Sequence, residues 1–576
     1  MVSGLYPEKV TMKNKGLILF FLSIVLFFAA LSIRLYKVGN LPSGMLVDEV
    51  SHGYNAYSIL KTGKDEYGVS YPLVFRAFGD QKLPLYIYLI VPSIKIFGLS
   101  ALSVRFPSVL AGSLLPVVIF FLLLELGFKR RISFFGGVIT IVSPWMVILS
   151  RFGYETNMGL LFFSLGILFT FMSSRKKSLG YSMLSGVCFG LTLYSYIAFR
   201  FITPFIILIL FSMSETGKKI VTKYKLFLIV TFVIMLIPLS SALFKPQSTA
   251  RFSQAGSGYT TGLKMEIDEN RTFCSDNLPK LLCYATSNKI VFMARSYLYR
   301  YIDAFSPGYL FLTGDNKDTS FNVDNFGQFY VWLLPFYLLG LFSLIDRLRS
   351  RRFTPVDVFV CIGMLIAATP SLLVGDAHKL RLSALYPFII ILISFGISQL
   401  ELYIKRKIYL NVLYVGLYTL SLLSCIFFLV LFLAIHIQKY EITYLRYRPI
   451  LMKYLGKNES NKQIYINSIT EGIIFYAFFN QIDPAIYQKN IIRKSADEIG
   501  FTHSSDLLNV HITEQSLREV LCRTRKNEIP SLYVTNENIK EIPNVYKKII
   551  STENGVHKLA IIYDLKAIDE TIIHCE

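Results

Sequence analysis

Long apolar runs separated by short clusters of Lys and Arg organise this chain. The first run, about Gly16 to Ile33, follows Lys9, Lys13 and Lys15. It is longer than a signal-peptide core and has no small-residue cleavage site, so it reads as a retained membrane span. Later runs of roughly 17–25 residues, the length a bilayer demands, recur down the chain. The basic clusters between them are Lys129–Arg131, Arg175–Lys177, Lys218 to Lys225, Arg347–Arg352 and Lys405–Lys407. Each lies two spans after the one before if all face the cytoplasm. The pattern therefore predicts a mostly α polytopic membrane protein of about 11 transmembrane helices, N-terminus inside and C-terminus outside, in the plasma membrane.

Four segments then face the exterior. They are the loop Arg34 to Arg105, a longer loop from about Lys245 to Gly327, the turn Gly375–Arg381 and the tail from Gln438. In the first loop, Pro84–Phe97 has the composition of a helix lying in the interface, and Val50–Leu60 predicts a second helix. The tail alternates apolar strand-like runs (Gln463–Asn467, Ser531–Val534, Leu559–Tyr563) with helical stretches, the pattern of a small α/β domain. The expected division is 1–437 for the membrane domain and 438–576 for the extracytoplasmic domain.

Composition agrees with the pattern. Of 576 residues, 53% are hydrophobic and only 17% charged, which excludes disorder and a fibrous repeat. The net charge of +21 invites a nucleic-acid reading. Its distribution argues against one: from Lys439 onward there are 18 Lys/Arg and 17 Asp/Glu, so the surplus lies beside the spans. Of the seven cysteines, Cys188, Cys361 and Cys425 lie in apolar runs. Cys274 and Cys283 share one outer loop and Cys522 and Cys575 share the tail, which makes two candidate disulfides. No phosphate-cradling glycine motif, Cys-x-x-Cys pair or His-rich metal spacing occurs.

The polar residues at the outer ends of the spans are the candidates for chemistry. Taken singly, each has a structural reading. Asp48 of the Asp48–Glu49 pair caps a helix start. Lys82 snorkels to the headgroups, and Arg105 at the mouth of the second span has the same two readings, snorkelling or phosphate binding. Arg151 and Glu155 are solvated turn charges, Tyr196 and Arg200 border an outer interface, and His378 and Arg381 belong to a surface turn. Together they fall on one membrane face, at the ends of different spans. If the spans bundle, acids and cations converge at headgroup depth, which suits a lipid carrying a phosphate.

The set as a whole resembles the polytopic GT-C glycosyltransferases, and most of all the protein O-mannosyltransferase and aminoarabinose-transferase branch (glycosyltransferase family 39-like). The resemblance spans roughly residues 16 to 400. It rests on Asp48–Glu49, Lys82-Leu83-Pro84-Leu85, Arg105-Phe106-Pro107-Ser108 with Ala111-Gly112, Ser143-Pro144-Trp145 with Ser150-Arg151, and Leu193-Tyr194-Ser195-Tyr196. Phe305-Ser306-Pro307, Leu312-Thr313-Gly314-Asp315 and His378-Lys379-Leu380-Arg381 complete it. Related sequences often carry Lys-Pro-Pro where this chain has Lys82-Leu83-Pro84; the cation is retained.

That resemblance implies an inverting transfer of a sugar from a polyprenyl-phosphate donor to a hydroxyl or amine of a protein, lipid or glycan acceptor on the extracytoplasmic side. Asp48 is the implied general base, with Glu155 as a second acid that orients acceptor, sugar or Asp48. Lys82, then Arg105, Arg200 and Arg381, are implied cations for the leaving phosphate. Glu49, Arg151, Tyr196 and His378 are further substrate contacts. One carboxylate suffices, because the phosphate leaves without protonation, unlike the two-carboxyl arrangement of most glycosidases. No cofactor is required. A divalent ion held by Asp48, Glu155 and Asp315 is compatible with the chemistry, but no ligand spacing compels it. A lipid or sugar flippase is the alternative; its charges belong nearer the bilayer midplane, and it often shows paired halves. A non-catalytic scaffold whose tail binds a partner is the third reading.

Overall fold

A computed structural model describes residues 15–78, 80–213, 222–243, 260–276, 278–315, 320–373, 378–440, 443–467, 471–495, 502–539, 542–544, 547–551, 558–568, 572–573 and 575. Lys9, Lys13, Lys218, Lys219, the start of the long loop at Lys245 and Gly375–Ala377 fall outside them. The chain forms two compact units. One comprises residues up to Tyr36 and Ser108–Phe432; the other comprises Lys37–Pro107 and Leu433–Glu576.

The first unit is a helical bundle. Among the described residues of the whole chain, eight helices are long and apolar enough to cross a bilayer: Gly16–Leu35, Ala101–Glu125, Thr156–Lys176, Lys223–Ser240, Val331–Arg349, Pro355–Leu372, Ser383–Tyr403 and Lys407–Lys439. A ninth is Arg130–Val142 continued by Pro144–Arg151 after a 51° bend. The bend falls at Pro144, which has no N–H to continue the ladder, and the Ser143 hydroxyl accepts from Met146 N to start the second segment. Two further expected spans are shorter helices, Leu179–Leu193 and Ile197–Ser212. At 1.5 Å per residue they reach about 22–24 Å, short of a ~30 Å hydrocarbon core. The chain is a multi-pass membrane protein.

Small residues permit a close helix crossing. A methyl on Gly340 would strike the Leu392 carbonyl, and one on Gly396 would strike the Phe336 carbonyl, so Leu334–Arg349 and Tyr386–Tyr403 approach at reciprocal glycines. The basic clusters meet at one end of this unit. Glu401 pairs with Lys129 and Arg131 (3.0 and 2.6 Å), Glu125 pairs with Arg175, and the Tyr224 hydroxyl donates to the Lys177 carbonyl. Arg347 pairs with Asp357 (2.7 Å) and donates to Ser343 Oγ, which also receives Gln399. The charge periodicity of the sequence is therefore a real spatial grouping.

The second unit joins the first outer loop to the tail, so its boundary differs from an expected cut at 437/438. The loop supplies the helix Val47–Thr62, the antiparallel pair β1 (Phe75–Ala77) and β2 (Asp80–Lys82), and the helix Pro84–Phe97. The tail supplies seven strands: β3 (Gln463–Ile466), β4 (Ile492–Arg493), β5 (Ser504–Leu507), β6 (Val510–Ile512), β7 (Ser531–Thr535), β8 (Lys547–Ser551) and β9 (Lys558–Asp564). Their order is β4-β5-β6-β3-β7-β9-β8, with β3 parallel to β6 and β7 and the other pairs antiparallel.

The physical reason for the joint unit is burial. Val47–Thr62 is buried along most of its length, with Ser51, His52, Asn55 and Ser58 buried beside Val50, Tyr54 and Ile59, and it packs on the tail helices Gly472–Phe479 and Pro484–Asn490. The Tyr54 ring lies 4.9 Å from Tyr487 and its hydroxyl donates to the Ile482 carbonyl (3.0 Å). Gly53 leaves room for Phe478 and Val104, each 2.6 Å from where a Cβ would stand. Both candidate cysteine pairs are disulfides, Cys274–Cys283 and Cys522–Cys575.

Candidate active site

Asp48 and Glu49 stand side by side in the first turn of Val47–Thr62, where the exposed N–H groups and the helix dipole favour negative charge. Capping was one reading of Asp48. The structure gives that task to Glu49, whose Oε2 accepts from the Leu46 N–H (3.1 Å). Glu49 is fully buried and forms a two-pronged pair with Arg105: Nε to Oε1 at 2.8 Å and Nη2 to Oε2 at 3.1 Å. The other Arg105 N–H groups donate to the carbonyls of Val38 (2.9 Å), Pro42 (2.8 Å) and Gly44 (2.6 Å). All five guanidinium donors thus have acceptors inside the unit, and Arg105 fixes the shape of residues 38–49.

Asp48 is left facing Lys82, with Nζ 2.6 Å from Oδ1. Lys82 ends β2, and Leu83 and Pro84 then open the next helix with proline at its first position. The Lys82 side chain is 8% exposed and that of Asp48 31%. A nearly buried ammonium is therefore compensated by a carboxylate that still reaches solvent.

Further along the same helix, Asn55 donates to Glu66 Oε1 (3.1 Å) and the Tyr487 hydroxyl donates to Oε2 (3.3 Å). Burial pushes the Glu66 carboxyl up to about 7, against the opposing pull of Arg493 and the Asn55 hydrogen bond.

In the helical unit, a second polar group surrounds Phe321. Phe152 and Tyr154 pack on that ring at 5.1 and 5.2 Å, and His378 at 5.9 Å. His378 Nδ1 accepts from the Leu380 N–H (3.2 Å), and its Nε2 lies 3.8 Å from Asp315 Oδ2. Lys379 is buried with Nζ 3.5 Å from Asn322 Oδ1, and its carbonyl receives the Trp145 indole N–H (3.1 Å). The turn Arg151–Glu155 and the turn His378–Arg381, separated by 223 positions from Glu155 to His378, are thereby brought together.

The chain matches the dolichyl-phosphate-mannose-protein mannosyltransferase family over residues 81–241. It superposes on the structure of ArnT from Cupriavidus metallidurans bound to undecaprenyl phosphate with a TM-score of 0.50 and 12% identity, covering 98% of this chain and 100% of that one. The same protein in its apo state gives 0.51 at 12% identity, over 97% and 99%. The apo oligosaccharyltransferase of Archaeoglobus fulgidus gives 0.50 at 12% identity, over 81% and 64%. The chain has a GT-C fold. No curated protein sequence matches it.

Within this GT-C fold the ten expected site residues fall into distinct groups. Asp48, Glu49, Lys82 and Arg105 gather in the loop unit. In the helical unit, Arg151 ends the bent span and donates to the carbonyls of Ile33 and Arg34 (3.3 Å each), closing the end of the first helix. Glu155 stands at the N-terminal cap position of Thr156–Lys176. Tyr196 stands at the N-terminal cap position of Ile197–Ser212, and Arg200, in its first turn, donates to the Leu193 carbonyl (3.0 Å). His378 and Arg381 share the turn before Tyr386–Tyr403. Sequence reasoning passed over Phe321 and Asn322, which carry no polar motif, and assigned no role to Lys379. Among the described residues, no three His, Cys, Asp or Glu side chains gather as a metal-holding group.

Proposed function

We propose that this chain is a membrane glycosyltransferase that moves a sugar from a polyprenyl-phosphate donor to an acceptor hydroxyl or amine on the extracytoplasmic side, with inversion. The observation that carries the reading is the Asp48–Lys82 pair on a loop braced by Arg105 and Glu49. The family match over residues 81–241, which begins beside Lys82, supports it, as does the fold shared with ArnT bound to undecaprenyl phosphate.

The chemistry follows from the pair. An anionic donor phosphate offers Lys82 a second partner. As Lys82 turns to it, Asp48 is released toward the acceptor. Acceptor oxygen or nitrogen bonds to the anomeric carbon, the bond from that carbon to the phosphate oxygen breaks, and the acceptor proton passes to the Asp48 carboxylate. Polyprenyl phosphate leaves as an anion, and Lys82 meets its growing charge. Base catalysis of this kind contributes roughly 10²–10⁴-fold. Arg105 and Glu49 are positioning residues, since their polar atoms hold the loop.

The orientation is part of the proposal. The end of the helical unit that gathers the basic clusters faces the cytoplasm, and the disulfides Cys274–Cys283 and Cys522–Cys575 belong to the oxidising side. The test is a panel of radiolabelled polyprenyl-phosphate sugars offered to the purified protein. Label moves from one donor with the unaltered protein and not with Asp48→Asn. If no donor is turned over, the transferase reading fails; if a folded Asp48→Asn variant turns over normally, the base assignment fails.

A further inference from the structure

The helix Lys289–Asp303 turns an apolar strip outward. Ile290, Val291, Ala294, Leu298 and Ile302 fall on one side at 100° per residue, and that side faces outward. Ile290 is 79% exposed and Leu298 and Ile302 are 58% each, while no residue of the helix is buried. The side turned toward the protein is mixed: Phe292, Met293, Tyr297 and Tyr301 are half-buried there beside Ser296, Arg300 and Asp303. The hairpin before it, closed by Cys274–Cys283, exposes Leu278, Leu281 and Leu282 in the same manner.

Two hydrogen bonds show where this strip sits. The Tyr301 hydroxyl donates to the Leu365 carbonyl in the span Pro355–Leu372 (2.7 Å), and the Tyr337 hydroxyl in the span Val331–Arg349 donates to the Phe305 carbonyl (3.3 Å). Both attachments lie on the half of each span away from the Arg347–Asp357 pair. Those spans expose Ile362, Leu365, Leu338 and Phe342. The apolar strip is thus continuous with surfaces that a multi-pass protein turns to acyl chains. Exposed Lys289 and Arg295 border the strip, as cations do where a helix meets phosphate headgroups.

We propose that Lys289–Asp303 and its disulfide-closed hairpin lie in the bilayer interface at the end opposite the basic clusters, with Ile290, Leu298 and Ile302 among the acyl chains. The occupant is lipid, and the inference does not depend on the glycosyl-transfer reading. The full chain with Leu298→Trp, and separately with Ile302→Trp, is reconstituted in phosphatidylcholine–phosphatidylglycerol vesicles. The signal of native Trp145 and Trp332 is subtracted using the unaltered protein. The introduced indole should lose most of its emission in lipids brominated near the headgroup and be shielded from aqueous iodide. Quenching by iodide but not by brominated lipid places the strip in water and overturns the proposal. Quenching by neither places it against protein, a second copy included, and also overturns it. If one variant fails to fold, the other, or Ile290→Trp, reads the same strip.

Discussion

Arg105→Lys separates a brace from a phosphate ligand. The arginine is fully buried and its five N–H groups meet five acceptor atoms: both Glu49 oxygens and the carbonyls of Val38, Pro42 and Gly44. A lysine ammonium has three donors radiating from one atom. At least two of the five acceptors therefore lose their partner with no water to replace it. At about 1–3 kcal/mol for each buried group left unsatisfied, the loop unit loses roughly 2–6 kcal/mol. The purified variant should show a lower thermal midpoint and faster protease cleavage between Lys37 and Pro107. Adding Glu49→Gln to it should cost much less than the two single changes summed, because they break the same pair. If Arg105→Lys keeps the midpoint and the cleavage pattern of the unaltered protein while raising KM for the donor, Arg105 touches phosphate and the brace assignment is refuted.

Asp48→Asn should lower kcat by roughly 10²–10⁴-fold and also lower the thermal midpoint, because Lys82 loses its carboxylate. Adding Lys82→Met should restore the midpoint without restoring turnover, which divides the structural from the chemical part of the loss. Gly53→Ala places a methyl 2.6 Å from Phe478 and Val104 and should destabilise the loop unit by about 1–3 kcal/mol, read as a lower midpoint with basal chemistry per folded molecule unchanged. Glu66 has a folded-state pKa raised above its unfolded value, so its contribution to stability is fully present below about pH 4.5 and is lost as pH rises through about 7. Glu66→Gln should flatten the midpoint–pH curve across that window and raise the midpoint above pH 7, by at most about 3 kcal/mol; an unchanged curve counts against the burial argument.

The elements that were easiest to read in the sequence share one property: their signal lies within a few adjacent residues. Pro84–Phe97 has the bounds its composition predicts, because Pro84 opens the helix at its first position and Gly98 closes it, both local signals. The strands read from apolar runs, β3, β7 and β9, are adjacent in the middle of the sheet, where both faces are covered. Strands β4, β5, β6 and β8 escaped because their sequences mix polar and apolar residues and are held by neighbours distant in the chain. The candidate site was legible by residue type at Asp48, Glu49, Lys82 and Arg105, but not in its pairing. Nothing local distinguishes an acid that caps from one that faces a lysine 34 residues on.

By itself, the chain's sequence determined that this is a multi-pass membrane protein with its basic clusters on one side, because the bilayer imposes length and charge rules on every span separately. Only the tertiary structure decided that the first loop and the tail share one core, that Glu49 rather than Asp48 closes the helix start, and that Arg105 is occupied by backbone carbonyls. Those outcomes depend on which surfaces meet after the chain has folded, and burial between distant segments leaves no period in the sequence that forms it.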